Sequence, residues 1–192
     1  GSVGKTSTRG LIAACLNSRL KVHQTEANLN NEIGLPATIL AAPDTAEVVV
    51  VELGMRAAGE IRLLSDIARP DIAVITNIGH SHIEFLGSQQ GILAAKMEII
   101  SGLAKDGLLI LNCDDPLLRQ AGRELIAAGT CRVGFVSAQG PCEEPGAELC
   151  LYASRIEPTD SAVAFDANLQ TESVRLETQQ ETAVRVTIPA PG

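Results

Sequence analysis

The sequence predicts an α/β protein with a mostly parallel P-loop sheet flanked by helices, and with a smaller antiparallel β-sheet at the C-terminal end. Three observations predict this class. A glycine-bearing loop opens the chain and runs into a helix, and apolar strands then alternate with helices up to about residue 138. Beyond it, short segments alternate apolar with polar residues, as in a half-exposed antiparallel sheet.

The first region, residues 1–138, is predicted to be a P-loop ATP-binding core. A phosphate loop normally follows a buried strand, so this core is expected to lack its first strand. Helices are predicted at residues 5–19, 57–69, 88–104 and 115–128. Strands are predicted at residues 46–52, 71–78, 107–112 and 131–136.

The second region, residues 139–192, is predicted to be an antiparallel subregion of the same domain. It begins with a turn-rich connector, GPCEEPG, which separates it from the alternating strands and helices. Strands are predicted at residues 148–156, 162–168, 172–178 and 182–188.

Composition excludes several classes of function. The formal net charge is −8 without a cluster of basic residues, which argues against a nucleic-acid partner. No apolar run reaches the roughly 20 residues that span a bilayer. The five cysteines are odd in number and form no C-x-x-C pair, so reduced thiols and a cytoplasmic location are expected. A monomer is expected.

The opening segment has the form G-x-x-G-K-[ST] and predicts a phosphate site. Glycines let backbone N–H groups approach phosphate oxygens, and the N-terminus of the following helix adds positive potential. Lys5 is expected to reach the β and γ phosphates, and the Thr6 hydroxyl to bind Mg²⁺. The predicted nucleotide-binding residues are Gly1, Ser2, Val3, Gly4, Lys5, Thr6 and Ser7.

A carboxylate follows the apolar run Val48–Val51 at the end of a predicted central strand. Ligand sites in open parallel sheets lie at this edge, so Glu52 is predicted to hold the magnesium ion of the nucleotide. A strand-end glutamate that only faces water is the alternative.

Two histidines, His80 and His82, lie in the turn after the predicted strand 71–78. Their i, i+2 spacing would suit a metal ion, but a loop histidine with a satisfied hydrogen bond is also common. Spacing alone does not choose between the two.

Lys96 falls on the apolar face of a predicted helix, one turn after Ile92 and one turn before Ile100. Burial of an ammonium is unfavourable and lowers the pKa of a lysine. We predict a lysine kept partly neutral, or converted to an anion, near a charged site. A lysine that extends past the apolar stripe to solvent is the alternative.

Several blocks occur in the order in which they occur in the Mur ligases, and the chain resembles the central ATP-binding domain of this family. The resemblance is close over about residues 1–116 and covers the remainder only in character. The blocks are GSVGKTST, TEANLNNEIGLP, VVELG with GEI, PDIAVITNIGHSHIEFLGS, AAKMEI and ILNCDDP.

The resemblance implies a three-domain enzyme of bacterial cell-wall synthesis, with a UDP-binding domain before this region and a Rossmann-like domain after it. NLNNEIG-x-P and IGHSHIEFLGS favour the branch that joins D-alanyl-D-alanine to a UDP-N-acetylmuramoyl-tripeptide. It implies ATP and two Mg²⁺ ions as cofactors, and UDP-muramoyl-peptide and dipeptide as partners. Amide formation would pass through an acyl phosphate.

Roles carried over from the family match those argued from the residues and extend them. Lys5 and Thr6 handle phosphate and Mg²⁺, and Glu52 is the carboxylate of the first metal ion. His82 binds a second Mg²⁺, and Lys96 is the lysine that becomes carbamylated. The resemblance thus gives Lys5, His82 and Lys96 catalytic roles. The residues that face the muramoyl substrate are Asn28, Asn30 and Asn31.

Three positions depart from the family pattern. Val3 stands where most members have Asn, Ala27 replaces a usual Gly, and Arg56 sits where Asn is common. The last change puts local substrate contacts in doubt.

Other functions remain as alternatives. A sibling ligase could use diaminopimelate or lysine, or act on folylpolyglutamate or cyanophycin. A P-loop GTPase or motor is disfavoured, because no N-K-x-D guanine motif occurs. The isolated domain could also bind nucleotide without catalysis.

Overall fold

A computed structural model gives the fold. It describes residues 1–79, 81, 83–159, 162–171 and 182–189. The chain divides into two compact units, Gly1–Gly107 and Leu108–Gly192.

The first unit alternates short strands with helices. Its strands are β1 (Val22–Gln24), β2 (Val48–Val50) and β3 (Ile72–Ile75). Its helices are α1 (Lys5–Leu16), α2 (Gly34–Leu40), α3 (Glu60–Ala68), α4 (Ile83–Leu86) and α5 (Gln89–Met97), followed by a 3₁₀ turn at Glu98–Gly102.

Strands β1 and β2 pair in parallel, with Val22 opposite Val48 and Gln24 opposite Val50. Parallel neighbours need a crossover between them, and α2 lies in that connection. Both strands therefore deliver their carboxyl ends, and the loops that follow, to the same edge.

Helix α3 packs through Ile61, Leu64 and Ser65, which are buried at helical spacing. Its N-terminus is closed by a distant side chain, because both oxygens of Glu98 accept from the Gly59 N–H at 2.9 Å. A carboxylate at this position also complements the positive end of the helix dipole.

The helix predicted at residues 88–104 changes character partway. Ser88 caps α5 by accepting from the Gly91 N–H, and the α-helical part ends at Met97. The 3₁₀ turn then continues to Gly102. A Cβ at Gly102 would lie 2.0 Å from the Ser65 carbonyl oxygen, so only glycine permits this close approach to α3.

The second unit contains β4 (Leu108–Asn112), α6 (Pro116–Ala128), β5 (Arg132–Ser137), β6 (Leu149–Pro158), β7 (Ala162–Thr171) and β8 (Thr182–Pro189). Helix α6 begins as its sequence suggests, since the Asp115 side chain accepts from two first-turn N–H groups and Pro116 follows it. It ends at Gly129, which adopts a left-handed conformation.

The sheet of the second unit changes direction at β6. Strands β4, β5 and β6 are parallel, and β7 and β8 then add as antiparallel neighbours. The predicted fold class is confirmed: helices flank a mostly parallel sheet, and a smaller antiparallel segment follows. The strand predicted at residues 172–178 lies outside the described residues.

Some elements differ from the sequence prediction. The helix predicted at residues 5–19 ends at Leu16, and β2 and β3 are shorter than the apolar runs that predicted them. Strand β1 and helix α2 were not predicted, because both are short and carry no clear apolar period. In the described part of the chain, no helix is long and apolar enough to cross a membrane.

Candidate functional site

The glycine-bearing loop leads directly into α1. Gly4 adopts a left-handed conformation with φ of 78°, which glycine accepts without strain, and α1 begins at the next residue, Lys5. The N–H groups of a first helical turn have no acceptor within the helix. Those of Lys5, Thr6 and Ser7 are therefore available to an anion.

The loop is fastened to the residues that follow β3. The Ser2 N–H donates to the main-chain oxygen of Asn77 at 3.0 Å, and the Val3 N–H donates to the Asn77 side-chain oxygen at 2.9 Å. The Thr76 hydroxyl donates to the Val3 oxygen at 2.7 Å, and the Gly79 N–H to Ser2 Oγ at 2.9 Å. These bonds engage the N–H groups of Ser2 and Val3, two of the residues predicted to bind nucleotide.

The predicted carboxylate lies against the end of the loop. The Thr6 hydroxyl donates to Glu52 Oε2 at 2.8 Å, across 46 positions of sequence. Glu52 follows β2 and is only 6% exposed. Its main-chain N–H donates to the hydroxyl of the buried Thr25 at 3.1 Å, which fixes the strand end beneath the loop.

The three asparagines of the NLNN block have different surroundings. Asn30 Nδ2 donates to Glu52 Oε1 at 2.9 Å. Asn31 Oδ1 accepts from the N–H groups of Ile33 and Gly34, and so closes the start of α2. Asn28 is exposed, and its main-chain oxygen accepts from the Asn30 N–H at 2.8 Å.

Lys96 is buried as its spacing indicates, with 6% of its surface exposed. Burial, with a smaller contribution from the Lys5 ammonium, lowers its pKa from 10.5 to about 8. At pH 7 about a tenth of the Lys96 amine is therefore neutral, far more than for an ordinary lysine.

One cavity of about 670 Å³ in the first unit brings several predicted residues together. Gly1, Lys5, Glu52 and Lys96 all line it. Part of its apolar wall comes from Val48–Val51 and Ile72–Ile75, that is, from β2 with the residue that follows it and from β3.

His80 and His82 lie outside the described residues, so the predicted histidine ligand has no geometry here. Within the described ranges, no group of three or more His, Cys, Asp or Glu side chains could hold a metal ion. Thr6 and Glu52 contribute two adjacent oxygen donors, of the kind that Mg²⁺ prefers.

The structure shows the backbone conformation of Ala27 and a hydrogen bond of Arg56, two of the residues that depart from the family pattern. Ala27 has φ of 47°, a left-handed conformation in which the usual glycine would be unstrained. Arg56 is exposed, and its main-chain N–H donates to the side chain of Glu60 at 2.6 Å.

Thr25 and Asn77 also hold parts of this site, and neither is among the residues predicted from the sequence. Asn77 offers a usable signal, because it is a polar residue just after an apolar strand, at the edge where ligand sites form. Thr25 offers none, since its contact with Glu52 depends on how β1 and β2 pair.

A Gly-Lys-Thr loop that opens a helix, with its threonine against a carboxylate at the end of a parallel strand, is the arrangement of P-loop α/β domains. The family described as Mur ligase middle domain matches residues 1–189. The chain belongs to this family.

Relatives and solved structures narrow the comparison. The UDP-N-acetylmuramoyl-tripeptide--D-alanyl-D-alanine ligase of Bacillus subtilis (strain 168) is 56% identical over 121 residues, which cover 63% of this chain and 26% of that protein. A crystal structure of MurF from Acinetobacter baumannii has a TM-score of 0.78 at 28% identity, covering 98% of this chain and 37% of the other.

A second similar structure was solved with a bound nucleotide. MurF ligase from Thermotoga maritima in complex with ADP has a TM-score of 0.73 at 27% identity, covering 97% of this chain and 38% of the other. This chain thus spans between about a quarter and two fifths of the length of these relatives.

Proposed function

We propose that this chain is the ATP-binding part of an amide ligase of peptidoglycan precursor synthesis. The enzyme would join D-alanyl-D-alanine to UDP-N-acetylmuramoyl-tripeptide, the reaction in the name of the Bacillus subtilis relative. The observation that carries the proposal is the 2.8 Å hydrogen bond between Thr6 and Glu52. It brings the phosphate loop and a buried carboxylate to one point, as ATP with its metal ion requires.

The oxygen donors at this point suit Mg²⁺. The Glu52 carboxylate is buried, and its two hydrogen-bond donors, Thr6 and Asn30, are neutral. A buried anion contacted by neutral donors is a favourable place for a divalent cation. When bound, Mg²⁺ would neutralise charge on the phosphates. We assign Thr6 and Glu52 to the first ion, and His82 with carbamylated Lys96 to the second.

The proposed reaction has two steps. The tripeptide carboxylate attacks the γ-phosphorus of ATP, which gives an acyl phosphate and releases ADP. The amine of D-alanyl-D-alanine then attacks the acyl carbon, the amine proton passes to a base or to solvent, and phosphate leaves. Such transfers depend mainly on positioning and charge neutralisation.

The chain's own residues would supply both. The free N–H groups at the start of α1 would donate to phosphate oxygens, and the Lys5 ammonium would lie against the β and γ phosphates. Asn77 supports this arrangement indirectly, because it accepts hydrogen bonds from the N–H groups of Ser2 and Val3 and so fixes the loop.

Lys96 has a proposed role that depends on its lowered pKa. Carbamylation by CO₂ needs a neutral amine and produces an anion. The pKa of about 8 makes the amine accessible, and the nearby Lys5 ammonium would stabilise the resulting negative charge. We propose that Lys96 acts in this carbamylated form.

Two asparagines remain as proposed contacts of the muramoyl substrate. Asn28 is exposed and available to a ligand. The Asn31 side chain is engaged with the start of α2, so it would reach substrate only with its remaining donor.

We also propose that a β-strand directly before Gly1 lies between β2 and β3. Phosphate loops follow strands. Gly1 lines the cavity that β2 and β3 border, and the Ser2 N–H donates to Asn77 just beyond the end of β3. The UDP-binding domain before this region and the Rossmann-like domain after it are part of the same proposal.

The test uses the ligase with its flanking domains. Phosphate release from ATP is measured with UDP-muramoyl-tripeptide and a panel of amines: D-alanyl-D-alanine, diaminopimelate, lysine and glutamate. Release should require the dipeptide, and Lys5→Ala should lower it about 100-fold or more, whereas the exposed Lys105→Ala should not. Release with a single amino acid instead would indicate a sibling ligase. No release with any amine would overturn the proposal.

A further inference from the structure

Asn30 is attached to the end of β2 at two points. Its side-chain Nδ2 donates to Glu52 Oε1 at 2.9 Å, and its main-chain oxygen accepts from the Gly54 N–H at 2.7 Å. The two bonds span three consecutive residues of the loop that follows β2. Asn30 therefore packs against the loop that follows β2 instead of extending into solvent.

The contact determines how the carboxylate is oriented. Thr6 donates to Oε2 of Glu52, and Asn30 donates to Oε1, so each oxygen has its own donor. Rotation of the carboxylate would break both bonds. Because a carboxylate only accepts, the Asn30 amide must present its nitrogen to Glu52. Its amide oxygen then faces Gly54.

Gly54 makes room for this amide. A Cβ at position 54 would lie 2.8 Å from Asn30 Oδ1 and 2.9 Å from its Cγ, closer than such atoms approach. A side chain at this position would displace the Asn30 amide. The absence of a side chain at Gly54 thus leaves the Asn30 amide in the position from which it donates to Glu52.

We infer that Asn30 is a positioning residue for Glu52, and that it sets the orientation in which this carboxylate meets the metal ion of the nucleotide. The inference rests on the proposed function for the presence of that ion. It changes the role expected for Asn30, which the resemblance assigned to the muramoyl substrate. Residues that orient a metal ligand typically change metal affinity about 10- to 100-fold when they are removed.

The two roles predict different outcomes for Asn30→Asp. A carboxylate only accepts, so an aspartate at position 30 cannot donate to Glu52 Oε1, and the hydrogen bond that orients Glu52 is lost. A substrate contact would tolerate an aspartate according to the substrate's own donors. We therefore expect Asn30→Asp to disturb the orientation of Glu52 as Asn30→Ala does.

The experiment uses the ligase with its flanking domains and Mn²⁺ as the probe. Mn²⁺ binding is measured by electron paramagnetic resonance in the presence of a non-hydrolysable ATP analogue. Asn30→Ala should raise the apparent Kd for Mn²⁺ about tenfold, and Gly54→Ala should have a similar effect because it displaces the same amide. The exposed neighbour Glu32→Gln is the matched control and should leave the Kd unchanged.

Steady-state kinetics on the same variants separates the alternatives. Asn30→Ala should leave the KM for UDP-muramoyl-tripeptide unchanged while raising the Mg²⁺ concentration needed for half-maximal rate. A raised KM with unchanged Mn²⁺ binding would overturn the inference and assign Asn30 to substrate. If Asn30→Ala does not fold, Asn30→Ser and Gly54→Ala provide the same comparison. Failure of the unmodified ligase to bind Mn²⁺ with the analogue would instead overturn the proposed function.

Discussion

Lys5 and Lys96 line the same cavity, and the pKa of Lys96 is lowered from 10.5 to about 8 by burial first and by the Lys5 ammonium second. Two ammonium groups that line one cavity repel each other, so this pair lowers the stability of the unliganded protein. The same positive charge would favour binding of the phosphates of ATP in the proposed function. The two lysines therefore lower the stability of the unliganded protein and would raise its affinity for a nucleotide.

Replacing Lys96 by methionine should stabilise the unliganded protein. The folded pKa is below the unfolded one, so the unfolded chain binds more protons between pH 8 and pH 10.5, and the stability of the unmodified protein rises across that window. At pH 7, Lys96→Met should gain about 1–2 kcal/mol, allowing for solvent screening. Urea denaturation at pH 7 and pH 10 measures this, and the gain should shrink at pH 10. The exposed Lys105→Met is the control. An equal gain at both pH values would contradict the assigned cause.

Carbamylation of Lys96 should be directly visible. Protein with its flanking domains, equilibrated with ¹³C-bicarbonate and a nucleotide analogue, should give a carbamate signal in the ¹³C NMR spectrum. The signal should increase from pH 7 to pH 8.5, because the neutral fraction of an amine with pKa of about 8 increases in this range. Lys96→Arg should abolish it. A signal that persists in this variant would assign the carbamate to another amine.

The Glu144 carboxylate accepts hydrogen bonds from Arg119 and Arg123 in the second unit. Removing this carboxylate should lower the free energy of unfolding by an amount that depends on pH. Burial pushes the pKa of this carboxyl upward, but hydrogen bonds from Arg123 and Arg119 outweigh burial and lower it. The stabilisation is therefore present above the ordinary glutamate pKa and is lost as pH falls through the lowered value. Glu144→Gln should lower stability at pH 7 by about 1–3 kcal/mol.

Denaturation at pH 7 and at low pH measures this effect, and the difference between the two proteins should narrow at the lower pH. The exposed pair of Arg132 and Glu148, with 2.7 Å between Nη2 and Oε1, offers a comparison. Glu148→Gln should change stability by less than about 1 kcal/mol. Similar losses in the two variants would show that burial of Glu144 adds nothing.

Ala27→Gly should stabilise the first unit. Ala27 has φ of 47°, and a left-handed conformation costs an alanine about 1–2 kcal/mol. Part of this gain is offset by the greater freedom of glycine in the unfolded chain, which leaves a net gain of about 0.5–1 kcal/mol. Thermal unfolding measures it. Ala37→Gly, in the exposed face of α2, should instead lose about 1 kcal/mol. A loss in both variants would contradict the strain at Ala27.

A protein that includes the proposed strand before Gly1 should be more stable than residues 1–192 alone. The added strand would cover apolar side chains of β2 and β3 that border the cavity. We expect the Tm to rise by more than about 5 °C, and the amides of Val50 and Ile75 to exchange more slowly with solvent. An extension of equal length made of Gly and Ser should give neither effect. An unchanged Tm with the native extension would refute the proposed strand.

Residues with a local signal could be located from sequence. Lys5 and Thr6 belong to a contiguous motif, and Glu52 ends an apolar run, so each was predicted from its own neighbours. The burial of Lys96 followed from its helical spacing to Ile92. The fold class could be predicted for the same reason, because alternating strands and helices are read segment by segment.

Contacts between distant segments could not be predicted in this way. The Asn30 side chain binds Glu52 across 22 positions, and Asn77 binds Val3 across 74. Nothing near either asparagine indicates its partner. The substrate role that the resemblance implies for Asn30 stays a prediction, and its hydrogen bond to Glu52 depends on how β1 and β2 place their loops.

The fastening of the loop by residues 76–79 has a consequence for how the protein folds. Ser2 and Gly79 are 77 positions apart, so their bond forms only after a long loop has closed. Strands β4 to β8 instead pair with their neighbours along the chain, which requires shorter closures. We therefore expect the glycine-bearing loop to acquire its final shape after β4 to β8 have paired.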